Sequence, residues 1–128
     1  MKYMKTVIMA GGKGTRINHL FPDIPKPLIH ITDKTGVDKP VLQWEIENLR
    51  DQGFNDIILT VYYMADKIQA FFGDGSDFGV DIEYFVEDTP LGNAGALFKL
   101  RDKLKDEPFL LRLAPLSWLT VKWFDQSK

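Results

Sequence analysis

Residues Ala10 to Lys26 read A-G-G-K-G-T-R-I-N-H-L-F-P-D-I-P-K, and the fold is decided in that stretch. A β-branched run, Thr6-Val7-Ile8-Met9, feeds a glycine cluster, which is followed by Thr15 and Arg16 and then by a lysine between prolines, Pro25-Lys26-Pro27. Glycines at 11, 12 and 14 leave backbone N–H groups uncovered by side chains, so an anion can approach the main chain. Arg16 offers a planar fork for phosphate oxygens, and Lys26 adds a compact positive charge. A strand, a glycine turn and cations in this order predict a phosphate cradle.

Two common cradles do not fit. A P-loop needs Gly, four residues and then Gly-Lys-Ser/Thr, whereas the order here is Gly12-Lys13-Gly14-Thr15. A dinucleotide fingerprint, G-x-G-x-x-G, matches at Gly12 and Gly14 but meets Ile17 at its third position. The full string instead resembles the opening signature of the sugar-1-phosphate nucleotidyltransferases (sugar-nucleotide pyrophosphorylases), A-G-G-x-G-T-R-L-x-P-L-T followed by P-K-P. It departs from that signature at His19, where the family usually has proline, and at Phe21, where it usually has threonine.

The rest of the chain is compatible with such a domain. Its 128 residues suffice for one core, burying about two thirds of the unfolded surface. Hydrophobic residues make up 45% and charged residues 27%, as in an ordinary globular domain. A net charge of −2 argues against a nucleic-acid partner, which wants a basic face, and sets Lys13, Arg16 and Lys26 apart from their surroundings. With no cysteine there is neither a disulfide framework nor a thiolate metal site. No stretch approaches membrane-spanning length and the start is too short for a signal peptide, so no membrane partner is expected and the cytoplasm is the expected compartment.

Periodicity supplies the elements. Lys5 to Ala10 reads as a buried strand, Phe21 to Pro27 as a proline-rich extended loop, and Leu28 to Ile31 as a short strand before a turn at 33–36. Pro40 suits the first position of a helix reaching about Gln52, with Leu42, Ile46 and Leu49 on one face and Gly53 as its stop. Asp56 to Tyr62 predicts a second buried strand and Ala65 to Phe72 a helix closed by Gly73-Asp74-Gly75. Val80 to Val86 alternates as an edge or half-covered strand does. Asn93 is placed to cap a helix carrying Leu97, Leu100 and Leu104, and Pro108 to Leu111 begins a further strand. Strands alternating with helices predict an α/β, Rossmann-like three-layer sandwich with a mostly parallel sheet, and the resemblance implies that it is truncated. In such sheets ligands bind beyond the carboxyl ends of the strands, where the glycine-bearing loops after Ala10 and after Val86 both fall.

The second loop, Glu87-Asp88-Thr89-Pro90-Leu91-Gly92-Asn93-Ala94-Gly95-Ala96, resembles the family's L-G-T-A-G-A segment, with Asn93 in the threonine position. The resemblance associates this loop with the nucleobase. Glu87 holds the position where thymidylyl-transferring relatives have glutamine. A carboxylate only accepts hydrogen bonds, which suits the two adjacent donors on guanine's pairing edge, whereas thymine or uracil suits an amide. GTP is therefore the favoured nucleotide. The nucleotide-binding set on this reading is Ala10, Gly11, Gly12, Lys13, Gly14, Thr15, Glu87, Gly92 and Asn93.

The resemblance further implies attack of a sugar 1-phosphate on the α-phosphorus of a nucleoside triphosphate, releasing pyrophosphate. Arg16 would grip the triphosphate, and Lys26 would bridge the phosphates of both substrates. These two residues are the catalytic candidates. The resemblance implies Mg as cofactor, held in the family by a Gly-Asp pair at the end of the strand that here is Phe109-Leu110-Leu111. The chain continues Arg112-Leu113-Ala114 instead, so its ligand aspartate is not found and no metal-ligating residue is assigned. Residues 1–111 are read as the N-terminal part of the nucleotidyltransferase domain and 112–128 as an atypical tail, altered or frame-shifted, with Trp118, Trp123 and Phe124 unassigned.

Plainer readings stand beside these. The glycines can be tight turns or packing sites, Glu87-Asp88 a solvated acidic pair and Lys26 a solvated loop residue. His19 and His30 lack metal-ligand spacing, and Phe71, Phe72, Tyr84 and Phe85 suit core and sheet faces better than a cofactor platform. The main functional alternative is a nucleotide-binding or regulatory module without catalysis. A relative transferring nucleotides to cofactors or alcohols is disfavoured by the intact Pro25-Lys26-Pro27. Association through an exposed sheet edge would make a homo-oligomer, and the sequence leaves the stoichiometry open.

Overall fold

A computed structural model describes residues 5–10, 24–89, 92–104, 108–112 and 121–124. Strand β1, Thr6–Ala10, is buried along its whole length. A 3-10 turn at Lys26–Leu28 leads into a small antiparallel hairpin, β2 (His30–Thr32) and β3 (Asp38–Pro40). Helix α1 covers Val41–Asp51, strand β4 Asp56–Val61, helix α2 Ala65–Phe72 and strand β5 Asp81–Val86. Helix α3 (Gly92–Leu104) and strands β6 (Phe109–Arg112) and β7 (Val121–Phe124) complete the described chain.

The main sheet has the order β5-β4-β1-β6-β7. Its β1–β4, β1–β6 and β4–β5 pairs are parallel, and β7 joins β6 antiparallel. Alternation along the strands sends side chains to two cores. Ile8, Ala10, Ile57, Leu59, Val61 and Leu110 pack with Leu42, Ile46 and Leu49 of α1 and with Ile68 and Phe72 of α2. Val7, Met9, Ile58, Phe109 and Leu111 pack on the opposite face with Ala96, Leu100 and Leu104 of α3. The result is the three-layer α/β sandwich expected from the sequence. Each fully buried Ile or Leu contributes about 1.5–3 kcal/mol by leaving water. The chain winds from β1 through β4 to β5 on one side of the sheet, then crosses by α3 on the other side to β6. Strand order therefore reverses between β1 and β6, the kind of switch point beyond whose carboxyl ends open α/β sheets bind ligands.

Local chemistry fixes the element ends. Helix α1 closes in a Schellman motif: Phe54 N–H donates to Leu49 O and Gly53 N–H to Arg50 O, both at 2.9 Å, with Gly53 at φ +91°. Gly75, at φ +87°, lies so close to Val80 and Ile82 that a Cβ would sit within 3 Å of both.

Several sequence expectations shift. Pro40 ends β3 and precedes α1 rather than opening it, because its extended ψ of 144° and its ladder place in the hairpin hold it outside the helix. Lys26–Leu28 turn instead of staying extended: Leu28 N–H reaches back to Pro25 O at 2.8 Å. The strand expected from Leu28 starts at His30. Asn93 lies inside α3 rather than capping it, since Gly92 already belongs to the helix. Leu97 sits at the rim of its core, while Ala96 takes the fully buried position beside Leu100 and Leu104. Of the four aromatics assigned to core and sheet faces, Phe72 is buried and Tyr84 and Phe85 are half-buried, whereas Phe71 is exposed and stacks on Phe78.

Candidate functional site

The two glycine-bearing loops leave the sheet from the same edge. β1 ends at Ala10 and β5 at Val86, and the strand between them, β4, ends at Val61 opposite both. Glu87 N–H donates to Val61 O at 2.8 Å, so the β4–β5 ladder runs on into the second loop. Ala10 and Glu87 thus flank Val61, two strand spacings or roughly 10 Å apart, a separation one mononucleotide can bridge between base and phosphates.

Ala10 is 6% exposed and its N–H is already engaged, donating to Thr60 Oγ1 at 3.2 Å. Glu87 is also only 6% exposed, while its neighbour Asp88 faces solvent. The plain reading of 87–88 as a solvated acidic pair therefore fails for Glu87. Gly92 and Asn93 lie in the first turn of α3, just past the carboxyl end of β5, where the helix dipole presents its positive end.

Lys26 is half-buried rather than a solvated loop residue. It opens the 3-10 turn between two buried prolines, and Leu28 packs against the core cluster that contains Ala10 and Leu42. The following hairpin is tied to α1, with Val41 N–H on Ile29 O and Trp44 Nε1–H on Ile31 O, each at 2.9 Å. Lys26 is thereby carried on the α1 side of the sheet. Gly11, Gly12, Lys13, Gly14, Thr15 and Arg16, the heart of the expected phosphate cradle, lie outside the described residues. So do His19 and Trp118.

At the end of β6 stands Arg112, 5% exposed, whose Nε donates to Oε1 of Glu45 on α1, itself fully buried. Burial pushes the Glu45 carboxyl above its ordinary value against the opposing pull of Arg112, and its Oε2 has no hydrogen-bond partner. No group of three or more His, Cys, Asp or Glu converges among the described residues. A hard cation such as Mg wants oxygen donors. Where the family resemblance puts a metal carboxylate, this strand end carries a guanidinium, so the described residues do not fit the metal.

Thr60, Glu45 and Arg112 were not singled out by sequence reasoning. Each left a signal: a hydroxyl within the apolar run Ile57-Ile58-Leu59-Thr60-Val61, an acid at a core-facing position of α1, and a base ending the apolar Phe109-Leu110-Leu111. Among the described residues, no helix is long and apolar enough to cross a membrane.

The nucleotidyl transferase family model matches residues 5–116. A UTP–glucose-1-phosphate uridylyltransferase from Synechocystis is 39% identical over 77% of this chain and 26% of its own length. A D-glycero-α-D-manno-heptose 1-phosphate guanylyltransferase from Campylobacter jejuni is 37% identical over 84% of this chain and 46% of its own. Among solved structures, HddC from Yersinia pseudotuberculosis superposes with a TM-score of 0.71 at 33% identity, covering 87% of this chain and 47% of that one. The same protein complexed with GMP-PN matches with a TM-score of 0.70. The chain spans between a quarter and about half the length of these relatives.

Proposed function

Since the chain belongs to the nucleotidyl transferase family, we propose that its carboxyl-edge site binds a nucleoside triphosphate, GTP preferentially, and serves transfer of the nucleotidyl group to a sugar 1-phosphate. The observation that carries this reading is that the strands leading into both glycine-bearing loops end side by side at one edge of the sheet, with Ala10 and a buried Glu87 on either side of Val61. The uridylyl- and guanylyltransferases among the relatives support the reaction class but differ in nucleotide. Glu87 supports guanine, because a carboxylate only accepts hydrogen bonds and guanine presents two donors side by side.

The reaction needs little from the protein beyond alignment and charge neutralisation. A phosphate monoester with a second pKa of about 6 is largely ionised at pH 7, so the attacking oxygen needs no general base. It forms a bond to the α-phosphorus as the bond to pyrophosphate breaks. Arg16 and the N–H groups of 11–15 would hold the departing phosphates, and Lys26 would draw the sugar phosphate toward them.

Arg112 favours a second reading, a module that binds nucleotide without transferring it, because its pairing with Glu45 puts a cation where a metal carboxylate is expected. Incubation with GTP labelled at the α-phosphate, together with mannose or heptose 1-phosphate, separates the two. Label appearing in a nucleotide sugar supports transfer, and GTP binding without product supports the module. Absence of both binding and product overturns the proposal.

A further inference from the structure

We propose that Thr60 is a positioning residue of the nucleotide site, holding the exit of β1 through the amide of Ala10; this rests on the nucleotide-binding reading above. Thr60 is 1% exposed and is flanked in β4 by Ile58, Leu59 and Val61, all fully buried. A valine would fill the same space in an apolar sheet core, and a buried hydroxyl is costly unless it is bonded. This one is bonded twice. Its Oγ1 accepts the Ala10 N–H at 3.2 Å and donates to Met9 Sδ at 3.7 Å. Both contacts fall on the last two residues of β1, immediately before the glycines of the expected cradle.

The geometry gives the end of β4 a double duty. The Thr60 side chain holds the peptide from which the first loop departs, and the neighbouring Val61 carbonyl holds the Glu87 amide at the start of the second. Adjacent residues of one central strand therefore set the separation between the phosphate end and the base end of the site. Thr60 acts on the ligand through Ala10, not by touching it. The Ala10 N–H, spent on Thr60, is not offered to phosphate.

The test is titration calorimetry of the full chain with GTP for wild type, Thr60→Val and Thr60→Ser, alongside urea midpoints and circular dichroism. Thr60→Val keeps the shape but strands the buried Ala10 amide, and is expected to weaken GTP binding by about tenfold or more. Thr60→Ser keeps the hydroxyl and loses a core methyl, and is expected to bind GTP within about threefold of wild type despite a lower urea midpoint. Equal GTP affinity in folded Thr60→Val and wild type would overturn the positioning role, leaving Thr60 a packing residue. Should Thr60→Val not fold, Thr60→Ser decides: retained affinity at reduced stability supports the role, and an affinity loss that tracks the stability loss overturns it. A wild-type chain that binds no nucleotide instead removes the proposed function, and this inference with it.

Discussion

Glu45 and Arg112 set two charges inside an otherwise apolar interface between α1 and β6. Removing either partner leaves the other buried and uncompensated, so Glu45→Ala and Arg112→Ala should each lower stability by about 3–5 kcal/mol in urea titrations. The double replacement Glu45→Leu with Arg112→Met should cost less than either single change. Burial raises the Glu45 pKa above 4.5, so between that value and the folded one the native state holds more protons than the unfolded state. The contribution of Glu45 thus weakens as pH rises through this window, and Glu45→Gln should flatten that part of the stability profile. Glu87 is tested through selectivity. Glu87→Gln should reduce GTP affinity by about tenfold while improving UTP or dTTP relative to GTP, as read by competition binding. An unchanged preference would remove the carboxylate from base recognition. Glu87 and Lys26 could be picked out from the sequence because they sit in recognisable strings. Thr60 and Glu45 could not, because their roles come from neighbours 50 and 67 residues away, a pairing that only the sheet brings about.

The hairpin β2–β3 is held by exposed polar bonds. Asp33 accepts the Thr35 hydroxyl at 2.7 Å and the Thr35 and Val37 N–H groups at 2.9 and 3.0 Å. The Thr35 hydroxyl, then the Val37 N–H, hold its carboxyl below 3.8, and Thr32 and then His30 do the same for Asp38. A depressed carboxyl stabilises the folded form above its unfolded pKa and loses that effect as pH falls through the folded one. Amide exchange at Thr35 and Val37 should therefore quicken below pH 3.8 while the β1–β4 ladder stays protected, and Asp33→Asn should abolish much of that change. Acid-insensitive exchange in the hairpin would contradict this. The longer elements could be read from the sequence because their patterns are local: α2 spans the expected Ala65–Phe72, and α1 ends at the Gly53 stop. β3 was missed because Asp38-Lys39-Pro40 has no apolar alternation and forms a strand only by pairing with β2. β7 was missed for a similar reason, since its place comes from the β6 edge.

At the scale of the whole molecule, topology does what no single motif can. The order β5-β4-β1-β6-β7, with α1 and α2 on one face and α3 on the other, brings residues 10 and 87 to one sheet edge. Alternating strands and helices made the mostly parallel sheet legible in the sequence. The antiparallel β7 and the Arg112–Glu45 pair were not, because the strand takes its place only from the β6 edge and the pair joins residues 67 positions apart. The nucleotide-binding edge is the central claim, and calorimetric titration of the chain with GTP, UTP and dTTP, each with and without magnesium, tests it most directly. The expected result is saturable GTP binding, tighter than for either pyrimidine nucleotide, little changed by magnesium and weakened about tenfold or more by Arg16→Ala. Absence of binding by all three nucleotides to the folded chain would contradict it.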